Sequence, residues 1–512
     1  MNRSSRAFRS TLVVSGFSYA TQGLSIVAVP LFLSTVGAEG YGLMLTVLSI
    51  VGYLNFADAG LSWGSMILIA QAHGRGGKTE IANIVRHSAV LAAGSGLMVA
   101  LAAVGIFIAA RLGWRLPMFA HHPEADYLVL IAALQLILTL QFCVFYNVFQ
   151  GLQENYWTGF YQGLGGFLGV ICTMITAWLT HSVAAMMLVQ MTFTGLSGVA
   201  ATLHVWRRHP WAFTLGSWTD RAQYRSQLRI GAKSFMLQIG RTVGNTAPTL
   251  GISSILGPAA VPLYTVPKSL LSMFFTPINS WNASMQSAYG EAWTSGDKEW
   301  VRSAFKRTLE RALLLGGLGV ALFIALGNTF IRLWTHDRLW LSPAMAASVT
   351  GIVVMASLLT AGQYLLTGLN RHRNAAFAEI CNGLLSLLLV VMAVYWLGLG
   401  AVGAGVVCSV CATSAWVLRR EIKSELGTGC FPTFTFLLRL SLAVLAGAAG
   451  AILIGHTGGS GTRVAAGLNL ALAGAGGTGC YLVAILAFKL MATGEAAALG
   501  RQLKQHLLPS AS

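Results

Sequence analysis

Residues 86–111 read RHSAVLAAGSGLMVALAAVGIFIAAR: Arg86 and Arg111 enclose 24 residues without a formal charge. A hydrocarbon layer of about 30 Å takes roughly 20 helical residues, and in lipid only helices and closed barrels satisfy every backbone N–H and C=O. This run is too long and too evenly apolar for a barrel strand, so it reads as a membrane-spanning helix. Working outward, it is one of fourteen: 11–33, 41–70, 87–110, 127–150, 157–179, 183–205, 230–256, 261–286, 312–334, 344–368, 375–397, 401–417, 436–455 and 464–488. The expected fold class is an all-α polytopic membrane protein of about 14 transmembrane helices. The twelfth run is short and Arg439 lies near the start of the thirteenth, so twelve spans with re-entrant pieces are the alternative.

Composition agrees with lipid as the main solvent. Hydrophobic residues make up 55% of the chain and charged residues only 10%, and the mean hydropathy is +0.67, which leaves no room for a soluble domain. Arg3, Arg6 and Arg9 precede the first apolar run as they would in a secretory signal, but that run has full spanning length and opens a repeat. The net charge of +17 is not read as a nucleic-acid footprint. With the N-terminus inside, 25 of the 33 Lys and Arg fall in inner segments, whereas the outer segments hold only Arg111, Arg115, Arg332, Arg338 and Arg463. That bias orients membrane proteins and suits an anionic inner leaflet. Both termini are therefore expected in the cytoplasm.

Several chemistries are excluded. Seven cysteines make no even disulfide framework, and the Cys408–Cys411 pair has no second pair or histidine cluster beside it, so packing is the reading and not metal. His121, His122, Glu124 and Asp126 read as a solvated outer loop. Gly77-Lys78-Thr79 resembles the end of a phosphate-binding loop, but position 72 is Ala72 and a transmembrane run, not a strand, comes before it. No ATP-hydrolysing apparatus follows, so energy comes from an ion gradient or the substrate's own gradient. No cofactor, metal or enzymatic activity is expected.

An internal repeat organises the chain. Gly76-Gly77-Lys78 through Arg86 recurs as Gly296-Asp297-Lys298 through Lys306; Gly151-Leu152-Gln153 recurs as Gly368-Leu369-Asn370; and Gln22 answers Gln238. Equivalent loops are basic and inside in both halves, so the repeating unit holds an even number of helices, and the halves are parallel repeats. The expected organisation is a six-helix lobe (1–206), a cytoplasmic linker (207–229), a second six-helix lobe (230–420), and two extra helices with a cytoplasmic tail (421–512). Such repeats place a substrate site between lobes near the midplane and rock around it.

Charges inside a bilayer are costly and tend to face cavities or pathways. Five qualify: Asp58, Lys233, Arg241, Lys268 and Glu379. Ser234, Gln238, Arg241, Asn245 and Thr249 form one stripe on the seventh span, and Lys268, Ser272, Asn279, Asn282 and Gln286 form another on the eighth. Pro277 is expected to kink the eighth span near mid-depth. A hydrated cationic wall for an anionic head group is one reading; a pair of interhelical hydrogen-bond seams is the other. Lys233 lies near a span end, where a long side chain can also snorkel to the surface. Asp58, with Asn55, Ser62 and Ser65, and Glu379, with Asn382, Gly383 and Ser386, either neutralise nearby bases or exchange a proton or sodium ion.

Val36-Gly37-Ala38-Glu39-Gly40-Tyr41-Gly42-Leu43, Asp58-Ala59-Gly60-Leu61, Leu263-Tyr264 with Lys268, and Gly368-Leu369-Asn370-Arg371 together resemble the polysaccharide transporters. These form the O-antigen flippase branch of the multidrug/oligosaccharidyl-lipid/polysaccharide superfamily. The resemblance spans about residues 10 to 420, with Ala59 standing where leucine is the form elsewhere. It implies a flippase for undecaprenyl-pyrophosphate-linked oligosaccharide in the bacterial cytoplasmic membrane, serving O-antigen, capsule or exopolysaccharide synthesis. Arg241 and Lys268, then Lys233, would contact the pyrophosphate; Gln238, Asn245, Asn279 and Asn282 would contact the sugars; Asp58 and Glu379 would couple ions or gate. Implied partners are the lipid-linked oligosaccharide, membrane lipids, protons or sodium ions, a polysaccharide polymerase and glycosyltransferases. The rivals are a cation-coupled multidrug exporter of the same superfamily, which calls for acidic cavities, and a membrane glycan polymerase or transferase, which calls for a large outer loop.

Overall fold

The computed structural model describes residues 3–54, 61–74, 77–112, 125–152, 154–213, 239–240, 242–294, 296–369, 371, 373–456, 463–488 and 490. Among them there is no strand. The helices are α1 (Arg3–Thr35), α2 (Gly37–Leu54), α3 (Leu61–Gly74), α4 (Lys78–Arg111), α5 (Ala125–Gly151), α6 (Asn155–Thr180) and α7 (Val183–Arg208), then α8 (242–256), α9 (Val261–Thr294), α10 (Lys298–Trp334), α11 (Pro343–Gly368) and α12 (Arg373–Leu397), and finally α13 (Val402–Ala412), α14 (Ser414–Leu426), α15 (Phe434–His456) and α16 (Arg463–Ala487). Local chemistry sets several starts. Side chains of Ser182, Asp297 and Ser342 accept from the backbone N–H of Ala185, Trp300 and Met345, three residues on, each satisfying a donor that the first helical turn leaves over.

The all-α polytopic class holds, and eleven stretches among the described residues are long and apolar enough to cross a bilayer. That measure does not reach fourteen, for three physical reasons. The second expected span falls into the shorter α2 and α3, with 55–60 outside the described residues. The first part of the seventh is likewise outside them. The eighth, α9, is long enough but carries Lys268, Asn279, Asn282, Gln286 and internal prolines, and runs on to Thr294 through Pro267 and Pro277 without interruption. The short twelfth span also resolves: the helix breaks at Thr413 (φ −121°, ψ −87°), separating apolar α13 from amphipathic α14. Cys408, Cys411 and Cys480 are exposed on their helices and not core residues as expected, and no described cysteine is in a disulfide.

Two compact units emerge, residues 1–266 with 373–415, and residues 267–372 with 416–512. Grouping by contact does not test grouping by ancestry, so the six-helix lobes stay a proposal.

In the first unit α1 lies along α6, α6 along α7, and α4 and α7 along α5. Ile84, Val148, Phe149, Ala201 and Val205 make one core cluster, and Leu43, Val47, Leu128 and Met187 another. A tight corner joins α2 to the turn before α9. The Gly42 backbone lies directly against the Pro258 carbonyl, where a Cβ would collide, and below it buried Thr46 donates to Ser253 Oγ at 3.0 Å. Both chain corners turn on a glycine in the left-handed region, Gly37 (φ 73°) and Gly257 (φ 84°), which a side chain would strain.

In the second unit α15 and α16 form a hairpin docked on α10. Gly477 lets α16 come so near that a Cβ there would sit 2.9 Å from the Gly447 carbonyl oxygen, the close approach small residues permit in membranes. Tyr481 donates its buried hydroxyl to Leu314 O at 2.6 Å, tying the hairpin to α10.

Each unit also carries an ion-pair clasp. In the first, Arg208 at the end of α7 reaches Glu154 before α6 at 3.1 Å, with His209 Nε2 3.4 Å from the other carboxylate oxygen. In the second, Arg371 before α12 reaches Glu425 of α14 at 3.5 Å. Glu154 and Arg371 are separated by 217 positions, and so are Arg208 and Glu425. The two clasps thus share one offset, with their charges exchanged.

Gly42→Ala should push α2 off Pro258 and cost about 1–3 kcal/mol, as overpacking does, lowering the thermal midpoint of the detergent-solubilised protein. Glu154→Arg should lower that midpoint, since it sets a base against Arg208 and His209 at a side chain only 12% exposed, and adding Arg208→Glu should recover part of the loss. Failure of the double reversal to recover stability would mean that the clasp is incidental.

Candidate functional site

The candidate site residues divide between described and undescribed segments. Asp58, Lys233, Gln238 and Arg241 lie outside the described residues. The other five fall on three helices.

On α9, Lys268, Ser272, Asn279, Asn282 and Gln286 fall within roughly 80° of arc at about 100° per residue, so the expected stripe exists as one face of a continuous helix. Lys268 and Asn279 are half-buried, and Asn282 is only 1% exposed. Ser272 is satisfied locally, donating to Ser269 O at 2.8 Å. The amides are different. Asn279 Oδ1 and Asn282 Nδ2 are buried without a hydrogen-bond partner among the described residues. A buried polar atom left unmatched costs about 1–3 kcal/mol, so these two amides face a place where something polar is worth binding. On the same face an ammonium, an amide oxygen and an amide nitrogen offer donors and an acceptor along about four turns, which suits an anionic group continuing into hydroxyls.

On α12, Glu379 is 3% exposed, with Asn382 and Ser386 buried on the same face. The first described turn leading into α8 packs directly on this carboxylate residue. A Cβ at Gly240 would stand 2.6 Å from the Glu379 backbone oxygen, and one at Gly383 would stand 2.9 Å from Val243 Cβ. Ser409 of α13 lies 2.8 Å from both the carbonyl and the Oδ1 of Asn382, donating its one proton between them. Ser386 Oγ has no hydrogen-bond partner among the described residues. A buried carboxylate, an amide oxygen and an unmatched hydroxyl thus lie within two turns on one face of α12.

Asn245 is exposed on α8, one residue beyond Gly244, where a Cβ would be 3.7 Å from Asn382 Nδ2. The structure thus brings Asn245 near this face of α12 in the first unit, while Lys268, Asn279 and Asn282 belong to the second. Ser409 and Gly240 were missed by sequence reasoning, because a serine in a short apolar helix and a lone glycine carry no local signal of what they touch. The clasp residues were missed for another reason: an exchange of charge hides a repeat from a search for identities, although the 217-residue offset was available.

Residues 7–284, more than half of the chain, match the family model described as polysaccharide biosynthesis protein. None of the curated proteins matches in sequence. Among solved structures, the lipid II flippase MurJ in an inward closed conformation aligns with a TM-score of 0.69 at 12% identity, over 93% of this chain and 98% of that one. A multidrug resistance MATE family transporter of the MOP superfamily, inward-facing, aligns at 0.62 with 18% identity over 80% and 96% of the two chains. An outward-facing MATE structure aligns at 0.58 with 15% identity over 84% and 98%. At these identities the likeness is one of fold, a helical transporter fold common to flippases and drug exporters. The family match adds the lineage: this multi-pass membrane protein belongs to the family described as polysaccharide biosynthesis protein.

Proposed function

We propose that the protein is a flippase carrying an undecaprenyl-pyrophosphate-linked oligosaccharide across the bacterial cytoplasmic membrane, for O-antigen, capsule or exopolysaccharide synthesis. The observation that carries this reading is the α9 face, where Lys268 and the unmatched buried amides of Asn279 and Asn282 line one side of a helix in a membrane protein of this family. Arg241, Lys233, Gln238 and Asn245 are proposed to complete the wall from the seventh span. Two parallel six-helix lobes would rock about it, with both termini in the cytoplasm. A polymerase and glycosyltransferases would act on the same lipid-linked glycan after and before it.

A pyrophosphate carries charge that a lysine and an arginine can meet with charge-assisted hydrogen bonds, and a sugar presents hydroxyls that carboxamides match in both senses. A cationic drug would find no such complement on α9. Glu379 and Asp58 are proposed as the ion-coupling or gating carboxylates, with Asn382 and Ser386 completing the α12 pocket around Glu379.

Deleting the gene should trap lipid-linked oligosaccharide on the cytoplasmic leaflet. Lys268→Ala and Asn282→Ala should each lower polymer export about tenfold or more, the worth of one charge-assisted or buried hydrogen bond, and Arg241→Ala should abolish it, all at unchanged membrane levels. Undiminished export in all three would remove the site, and drug efflux in a sensitised strain would favour the exporter. Glu379→Gln keeps the shape and removes the charge. If the residue couples ions, transport in vesicles loses its dependence on a proton or sodium gradient while exchange persists. A loss of folded protein with gradient dependence intact would instead make Glu379 a structural carboxylate.

A further inference from the structure

Helix α14 presents a face for which neither the repeat nor the transport site has a use. Taking Trp416 as the reference and 100° per residue, Arg419, Arg420 and Lys423 all fall within roughly 60° on either side of it. All four are exposed, Trp416 by 58%. The adjoining face is committed: Leu418, Ile422 and Leu426 are buried, and Leu418 and Ile422 close on Gly362 of α11, where a Cβ would collide. Glu425 is held by Arg371 on that other side. The helix therefore cannot turn its basic face inward, and neither of its acids, Glu421 and Glu425, lies on that face.

Order along the axis matters as much as charge. Trp416 is nearest α13, and the two helices lie within one stretch, Leu399–Leu426, apolar enough to cross a bilayer. Arg419 and Arg420 follow one turn later, and Lys423 one turn beyond, at about 5.4 Å per turn. The Arg420 guanidinium sits over the indole, 5.5 Å from its centre. An amphipathic ring followed by cations is the order of a bilayer interface, where indoles sit at headgroup level and basic groups meet the phosphates. A solvated face would need no exposed tryptophan at its membrane end, and an acidic protein partner would not require the graded order.

We propose that the Trp416, Arg419, Arg420 and Lys423 face of α14 binds anionic phospholipid headgroups of the leaflet at its own end of the molecule. This site does not depend on the identity of the transported substrate. It fixes the depth of α14, and through Gly362 and Arg371 the position of the helix and loop beside it.

The test uses the full-length protein in phosphatidylcholine vesicles containing a minority of phosphatidylglycerol, with the bromine quencher carried on one lipid or the other. The emission belonging to Trp416 is the difference between wild type and Trp416→Phe. Brominated phosphatidylglycerol should quench it well beyond its share of the bilayer, and high salt should abolish the excess. Each neutralisation among Arg419→Gln, Arg420→Gln and Lys423→Gln should cut the preference about fivefold, while Arg419→Lys with Arg420→Lys should retain it. Quenching in proportion to bulk composition, or an excess that salt does not touch, overturns the proposal; the salt series needs only wild type and Trp416→Phe, so it decides even if a charge variant fails to insert.

Discussion

Hydrocarbon offers a peptide group nothing to bond with, so every N–H and C=O that crosses it must be matched within the protein. Almost everything in this chain follows from that. It makes the long runs helical, and it also governs the hydroxyls: Thr202 bonds back to Gly198 O, Ser88 to Ile84 O, Ser357 to Val353 O and Thr367 to Gln363 O, each about 2.8 Å away and four residues earlier. A serine or threonine in such a helix is therefore chemically quiet. Asn279, Asn282 and Ser386 are among the residues whose buried polar atoms are not matched in this way among the described residues.

Lipid also removes the hydrophobic drive between helices, leaving packing and hydrogen bonds to hold them. Glycines at Gly42, Gly240, Gly362 and Gly477 do this by bringing a backbone or a bulky side chain to contact distance. At Gly240 the same device has a chemical consequence, since it presses the approach to α8 onto Glu379. Close packing and a buried carboxylate are there one feature, which is why a charge-removing substitution that keeps the shape is informative.

The repeat explains what the two halves share and where they part. Left-handed glycines at Gly37 and Gly257 and the Glu154–Arg208 and Arg371–Glu425 clasps recur at offsets near 220. Buried carboxylates do not recur at that offset: among the described residues they are Asp126 and Glu379.

The sequence by itself determined that the chain is helical, crosses a membrane many times, and carries a polar stripe on the eighth span, because hydropathy and the 100° helical advance are local properties. It also marked Glu379, since a carboxylate in an apolar run needs no partner to be conspicuous. Only the tertiary structure decided that the twelfth span breaks at Thr413, that Gly240 covers Glu379 and Ser409 bonds to Asn382, and that α14 buries Leu418 while exposing Trp416. Those outcomes depend on which distant backbone arrives at a given residue, and no window of adjacent residues contains that information.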